Sequence, residues 1–137
     1  MRSYRKICSQ KSSMQINLFT YSANVYEYVP SGGYVARISN VNDKNQLLKK
    51  LSLTLNFPDY FGFNWDALDE CINDFNWINN KKISLIHDNI PKLKPSELKI
   101  YLEILQNAVL QWRISGEHIL EIVFPQSDES LISSFLS

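Results

Sequence analysis

Leu55-Asn56-Phe57-Pro58-Asp59-Tyr60-Phe61-Gly62-Phe63-Asn64-Trp65-Asp66-Ala67-Leu68-Asp69-Glu70-Cys71 is the stretch on which the fold turns. Pro58 disfavours helical geometry at Phe57, so a helix arriving from upstream must stop near Asn56. Asn64 is a good N-cap for a new helix, and Asp66 in the first turn suits the positive end of its dipole. Gly62 gives the backbone freedom to turn between the two. Leu68, Cys71, Ile72 and Phe75 recur at i, i+3, i+4 and i+7 and define a buried stripe. Asp66, Glu70 and Asp74 recur at i, i+4 and i+8 on another face, with Asp69 close by, and predict an acidic ridge. No Lys or Arg lies between Lys50 and Lys81, while Asp59, Asp66, Asp69, Glu70 and Asp74 all do. That interval carries a charge of −5 in a chain of 14 basic and 14 acidic residues, so the remainder carries +5. Negative charge gathered in this way attracts a positive partner.

Upstream, Asp43 followed by Gln46 has the form of a capping box. Leu47, Leu48, Leu51 and Leu55 then recur at helical spacing, with Lys44, Lys49 and Lys50 on the wet side. Tyr34 to Ile38 reads as a core strand. Downstream, Ile83 to His87 is a short apolar run that reads as a buried strand. Pro95 suits the first turn of a long helix whose stripe is Leu98, Tyr101, Leu102, Leu105, Ala108, Val109 and Trp112, and Gly116 ends it. His118 to Phe124 is a further strand, stopped by Pro125. The order strand, helix, helix, strand, helix, strand implies an α/β fold with a three-stranded parallel sheet.

At the N-terminus, residues 1–13 read as a disordered leader, with Met14 a candidate initiator. Ile16 to Phe19 and Val25 to Val29 are β-prone runs before the turn Pro30-Ser31-Gly32-Gly33, so residues 14–33 read as a hairpin-like extension. The tail, 125–137, suggests a short amphipathic helix using Leu131, Ile132, Phe135 and Leu136.

A chain of 137 residues buries a core as one domain. Zero net charge does not suggest a nucleic-acid binder. No apolar run is long enough to cross a bilayer, and the basic N-terminus lacks the apolar region of a secretory signal. Two separated cysteines and two separated histidines supply neither a disulfide framework nor a metal site. Cys71 sits in the apolar stripe as a small hydrophobe. These features place the chain in the reducing cytoplasm, with no cofactor. His87 and His118 have no Ser, Cys or Asp at triad spacing, and no phosphate-binding glycine loop is present.

The run Pro58-Asp59-Tyr60-Phe61-Gly62, with Asn64, Asp66-Ala67-Leu68 and Glu70-Cys71, resembles the central loop and helix of the barstar family, inhibitors of barnase-type ribonucleases. Weaker similarity runs over 34–124. The resemblance implies the same three-stranded parallel sheet and no enzymatic activity. It implies one-to-one occlusion of the active site of an extracellular or toxin-type ribonuclease, as an antitoxin or immunity protein. Contacts carried over are Tyr60, Asn64, Asp66 and Glu70. With the neighbouring loop and ridge the expected surface is Asp59, Tyr60, Phe61, Gly62, Asn64, Trp65, Asp66, Asp69, Glu70 and Asp74. Phe61 and Trp65 are each open to an interface or a core role.

Several positions depart from the family. Glu70 stands where the family's main acidic anchor is Asp. Asp69 replaces a Trp, Phe63 and Trp65 replace smaller or less aromatic residues, and an acid of the last long helix aligns approximately with Asn107. Three alternatives stand beside the inhibitor. One is an immunity protein against a non-ribonuclease toxin, such as a DNase or deaminase. Another is a small α/β enzyme with Asp66 and Glu70 as acid and base. The third is an interaction module whose N-terminal hairpin makes the contact and can be deleted through Gly33 without loss of fold.

Overall fold

The computed structural model describes residues 18–137. The expectations for the leader, Met14 and Ile16 lie outside those residues. Within them the strands are β1 (Thr20–Ser22), β2 (Tyr34–Ile38), β3 (Lys82–His87) and β4 (Ile119–Pro125), and the helices are α1 (Lys44–Thr54), α2 (Trp65–Ile72), α3 (Pro95–Ser115) and α4 (Glu129–Leu136). All strand pairs are parallel, in the order β1-β4-β3-β2. The sheet therefore has four strands, not the expected three. The added one comes from the N-terminal extension.

The sheet has two differently covered faces, because successive side chains point to opposite sides. Ile83 and Leu85 of β3, and Leu120, Ile122 and Phe124 of β4, point into the main core. There they meet the stripes of α1 (Leu47, Leu48, Leu51) and α3 (Leu98 to Trp112). Ile86 and Val123 point the other way, into a small second cluster closed by Val25 and Tyr28. The helix starts follow from local chemistry. Asp43 accepts from the Gln46 amide at 2.8 Å, and the Gln46 side chain accepts from the Asn42 amide at 2.9 Å. Pro95 opens α3, and Gly116 closes it in the left-handed conformation at φ 74°. In α4, Ile132 is fully buried and Phe135 and Leu136 pack against the core, while Leu131 turns to solvent.

The hairpin expected over 14–33 does not form among the described residues. Residues 20–22 instead extend the sheet beside β4, and Val25–Glu27 is a 3-10 turn. The reason is topological. β1 lies at one edge of the sheet and β2 at the other, so residues 23–33 must cross the whole sheet on the face that lacks helices. A strap of this kind is useful where it buries Val25 over Ile86 and Val123, and a turn does that better than a strand. Arg37 fastens it, donating to the carbonyls of Val25 (3.1 Å) and Tyr28 (3.0 Å) and to Asp88 (2.6 Å). The Tyr28 hydroxyl donates to Glu121, which also accepts from Ser84 at 3.0 Å and Thr20 at 3.3 Å. That hydrogen bond, then burial, then the carboxylate's charge push the Tyr28 hydroxyl pKa up to about 12. Desolvation pushes the Glu121 carboxyl up. The hydrogen bonds from Tyr28 and Ser84, the charge of Lys82 and the bond from Thr20 together outweigh it and hold the carboxyl below its ordinary value.

The strap ends where the chain passes against β3. A Cβ on Gly33 would lie 2.5 Å from the Lys82 carbonyl oxygen, and its φ is +88°. Gly33→Ala is expected to cost about 3 kcal/mol, from contact and backbone strain together. Gly32→Ala, also at positive φ (+82°) but in open space, is expected to cost about 1 kcal/mol. Urea denaturation of the two variants measures the difference, and equal losses would mean that the contact with β3 is not what holds Gly33.

Candidate protein-binding site

The segment between α1 and α2 is built from aromatic anchors. At the end of α1, Asn56 adopts the left-handed conformation (φ 57°) and the Phe57 amide reaches back to the Ser52 carbonyl at 3.0 Å. This is a Schellman closure, for which Asn is well suited. Phe57 enters the core, and the Trp77 indole donates to the Leu55 carbonyl at 2.9 Å. The Phe61 amide bonds to the Pro58 carbonyl at 3.0 Å, closing a turn that buries Phe61 against Phe57, with ring centroids 4.8 Å apart. Burial decides Phe61 for the core: it supports the loop from beneath. Asn64 then caps α2, its side-chain oxygen accepting from the Ala67 amide at 2.7 Å.

α2 ends earlier than the spacing of its acids suggests. Its last residue is Ile72, whose carbonyl accepts from the Trp112 indole at 2.9 Å. Phe75 takes the left-handed conformation (φ 48°) and is fully buried, stacked on Trp112 at 6.2 Å. Asp74 therefore stands on the turn after the helix, not on a third step of a helical ridge. It is still close to the loop. The Tyr60 hydroxyl pKa is raised, by desolvation first and then by the charges of Asp74, Cys71 and Glu70.

Asp59, Tyr60, Gly62, Asn64, Asp66, Glu70 and Asp74 are exposed, Tyr60 at 72%. Asp69 is half-buried, and the Asn73 amide donates to its carbonyl (2.8 Å) and its carboxylate (3.0 Å), so it closes the helix end. Trp65 is half-buried beside Tyr101, and the Lys44 ammonium lies 5.1 Å from its ring centroid. Asn107, aligned with an acid of the family, is buried in α3 at 3% exposure and takes no part in this surface. Cys71 is a buried free thiol whose pKa is raised by burial, then by Asp74 and Glu70. The other cysteine, Cys8, lies outside the described residues.

Among the described residues, no cation forms an ion pair with Asp59, Asp66, Glu70 or Asp74. The salt bridges there, Arg37 to Asp88 and Lys82 to Glu121, belong to the strap side of the sheet. A groove of about 340 Å³ near Leu18, Lys82, Trp112, Arg113 and His118 contains none of the five acids. Among the described residues no group of three or more His, Cys, Asp or Glu could hold a metal ion, and no helix is long and apolar enough to cross a membrane.

The sequence did not announce the parts played by Trp77, Lys44 and Trp112. Which indole reaches which carbonyl depends on packing between elements 22 and 40 positions apart in sequence, which no local pattern carries.

Fold and rim together are those of a small parallel α/β protein with an anionic face that forms no ion pair among the described residues. The chain belongs to the barstar family: the family model described as Barstar (barnase inhibitor) matches residues 34–124. Members of that family are inhibitors, not enzymes. Comparison with curated proteins and with solved structures gives no significant match.

Proposed function

We propose that the chain is a one-to-one inhibitor of an extracellular or toxin-type ribonuclease, held in the cytoplasm as an antitoxin or immunity protein. The observation that carries this is the exposed set Asp59, Asp66, Glu70 and Asp74, free of ion pairs among the described residues and mounted on a loop and helix anchored from beneath. A ribonuclease site binds a phosphodiester and is lined with cations. Carboxylates fixed on a rigid rim can occupy it, because Arg pairs with them through bidentate, charge-assisted bonds. Asp66 and Glu70 receive the cations. Tyr60, Gly62 and Asn64 shape the contact, Asp59 and Asp74 extend the field, and Trp65 and Asp69 lie at the margin. A loop and helix start already held by the Asn64 cap and the Phe57–Phe61 rings lose little backbone freedom on binding.

The test is calorimetric titration against barnase and a related guanyl-specific ribonuclease at low and high salt. Tight one-to-one binding that weakens with salt is expected. Asp66→Ala combined with Glu70→Ala is expected to weaken it at least a hundredfold, or about 2.7 kcal/mol. Unchanged affinity in that variant would remove the acidic rim from the mechanism.

A further inference from the structure

Among the described residues, four that are not glycine hold left-handed backbone: Asn40, Asn56, Phe63 and Phe75. Asn tolerates this conformation, whereas for a bulky residue it is a strained outlier. Phe75 is fully buried in its aromatic stack, so packing supports its strain. Phe63 has only part of that support. At φ 53° it is 53% exposed, with its ring centroid 4.8 Å from that of Phe61. Asn or Gly would fill this position without strain and would expose no ring. A strained backbone that displays an apolar ring among carboxylates points to what the ring meets outside the chain.

We infer that Phe63 is the specificity-determining residue of the acidic rim, seating its ring in an apolar hollow of the partner beside the cations that take Asp66 and Glu70. This rests on the ribonuclease-inhibitor reading. The chemistry it asks of the partner is a cationic cleft with a flat apolar pocket at its rim, the combination needed to hold a phosphate and a base together. The Phe61–Phe57 stack fixes the ring before contact, so its burial orders little that was free. Ring burial is insensitive to salt, which separates it from the carboxylates.

Phe63→Asn keeps the left-handed backbone and removes the ring. Its affinity for barnase and the guanyl-specific ribonuclease is measured at two salt concentrations, beside the Asp66→Ala, Glu70→Ala variant and a thermal melt. The expected result is a tenfold or greater loss of affinity for the ribonuclease the parent binds. The salt dependence stays that of the parent, and the melting temperature does not fall. Parent-like affinity in Phe63→Asn, with binding still abolished in the double variant, overturns this inference and leaves the inhibitor reading standing. A fall in melting temperature without loss of affinity makes Phe63 a packing residue and also overturns it. A parent chain that binds no ribonuclease of the panel overturns both.

Discussion

Truncation to residues 34–137 is expected to remove most of the folding stability, although every residue matched to the family is retained. The cut deletes Leu18, Phe19 and Val25, all buried. Burying each such side chain is worth about 1.5–3 kcal/mol, so the three together contribute ~6 kcal/mol. It also bares Ile86 and Val123, now fully buried, and leaves β4 as an open parallel edge. Arg37 loses two carbonyl acceptors, and Glu121 loses Tyr28 and Thr20. Domains are stable by only about 5–15 kcal/mol, so a loss of this size is decisive. Urea denaturation followed by circular dichroism compares chains starting at residues 18 and 34. The first is expected to unfold cooperatively, and the second to show a broad transition or none. A shared midpoint would make the strap an appendage, as the deletable-hairpin alternative required.

His87→Phe is expected to cost about 3 kcal/mol and to flatten the dependence of stability on acid. His87 is fully buried at the end of β3, stacked on Phe124 with centroids 4.0 Å apart. Its Nδ1 faces the Val123 carbonyl at 3.0 Å and so carries the proton. Its Nε2 accepts from the Tyr101 hydroxyl at 2.7 Å. Burial holds the Tyr101 hydroxyl well above its ordinary pKa, so it stays a donor. Phenylalanine keeps the stacking but strands that hydroxyl and the carbonyl, at about 1–3 kcal/mol each.

The same burial lowers the His87 pKa from 6.5 to about 3, against the smaller opposing effect of its bond to Val123. The folded chain therefore keeps the imidazole neutral where the unfolded chain protonates it. The stability this contributes is complete above pH 6.5 and is lost as pH falls towards 3, a span worth ~5 kcal/mol. Denaturation midpoints of parent and variant at pH 7, 5.5 and 4.5 test this. The gap between them should narrow as pH falls, and a constant gap would assign the acid sensitivity to other groups.

What could be read from the sequence was local. Pro58, Asn64, Asp43 with Gln46, Pro95 and Gly116 each act within a turn of chain, and the structure places each helix end where they put it. The acidic rim was legible for the same reason, as an interval without cations. Asp74 was displaced because α2 stops on a contact with Trp112, forty positions away in sequence and invisible to periodicity. The strap was missed because a parallel edge strand carries no sign of its partner. Val25 and Tyr28 have no spacing that tells a strand from a turn. The link from His87 to Tyr101 joins a strand to a helix, and neither neighbourhood hints at it.

The register that sets Thr20 opposite Val123 also orders events in time. The ribosome makes β1 before any other described strand, and β4 after all of them. Nascent Thr20–Ser22 has no edge to join until nearly the whole domain has been translated. The entropy of closing so long a loop must be overcome before that pairing returns anything. Assembly is thus ordered from the inside outward, with the helices gathering on β2, β3 and β4 before β1 and the strap close over the bare face. Until they do, Ile86 and Val123 face water, and the young protein is most exposed to aggregation on the face that the strap later covers.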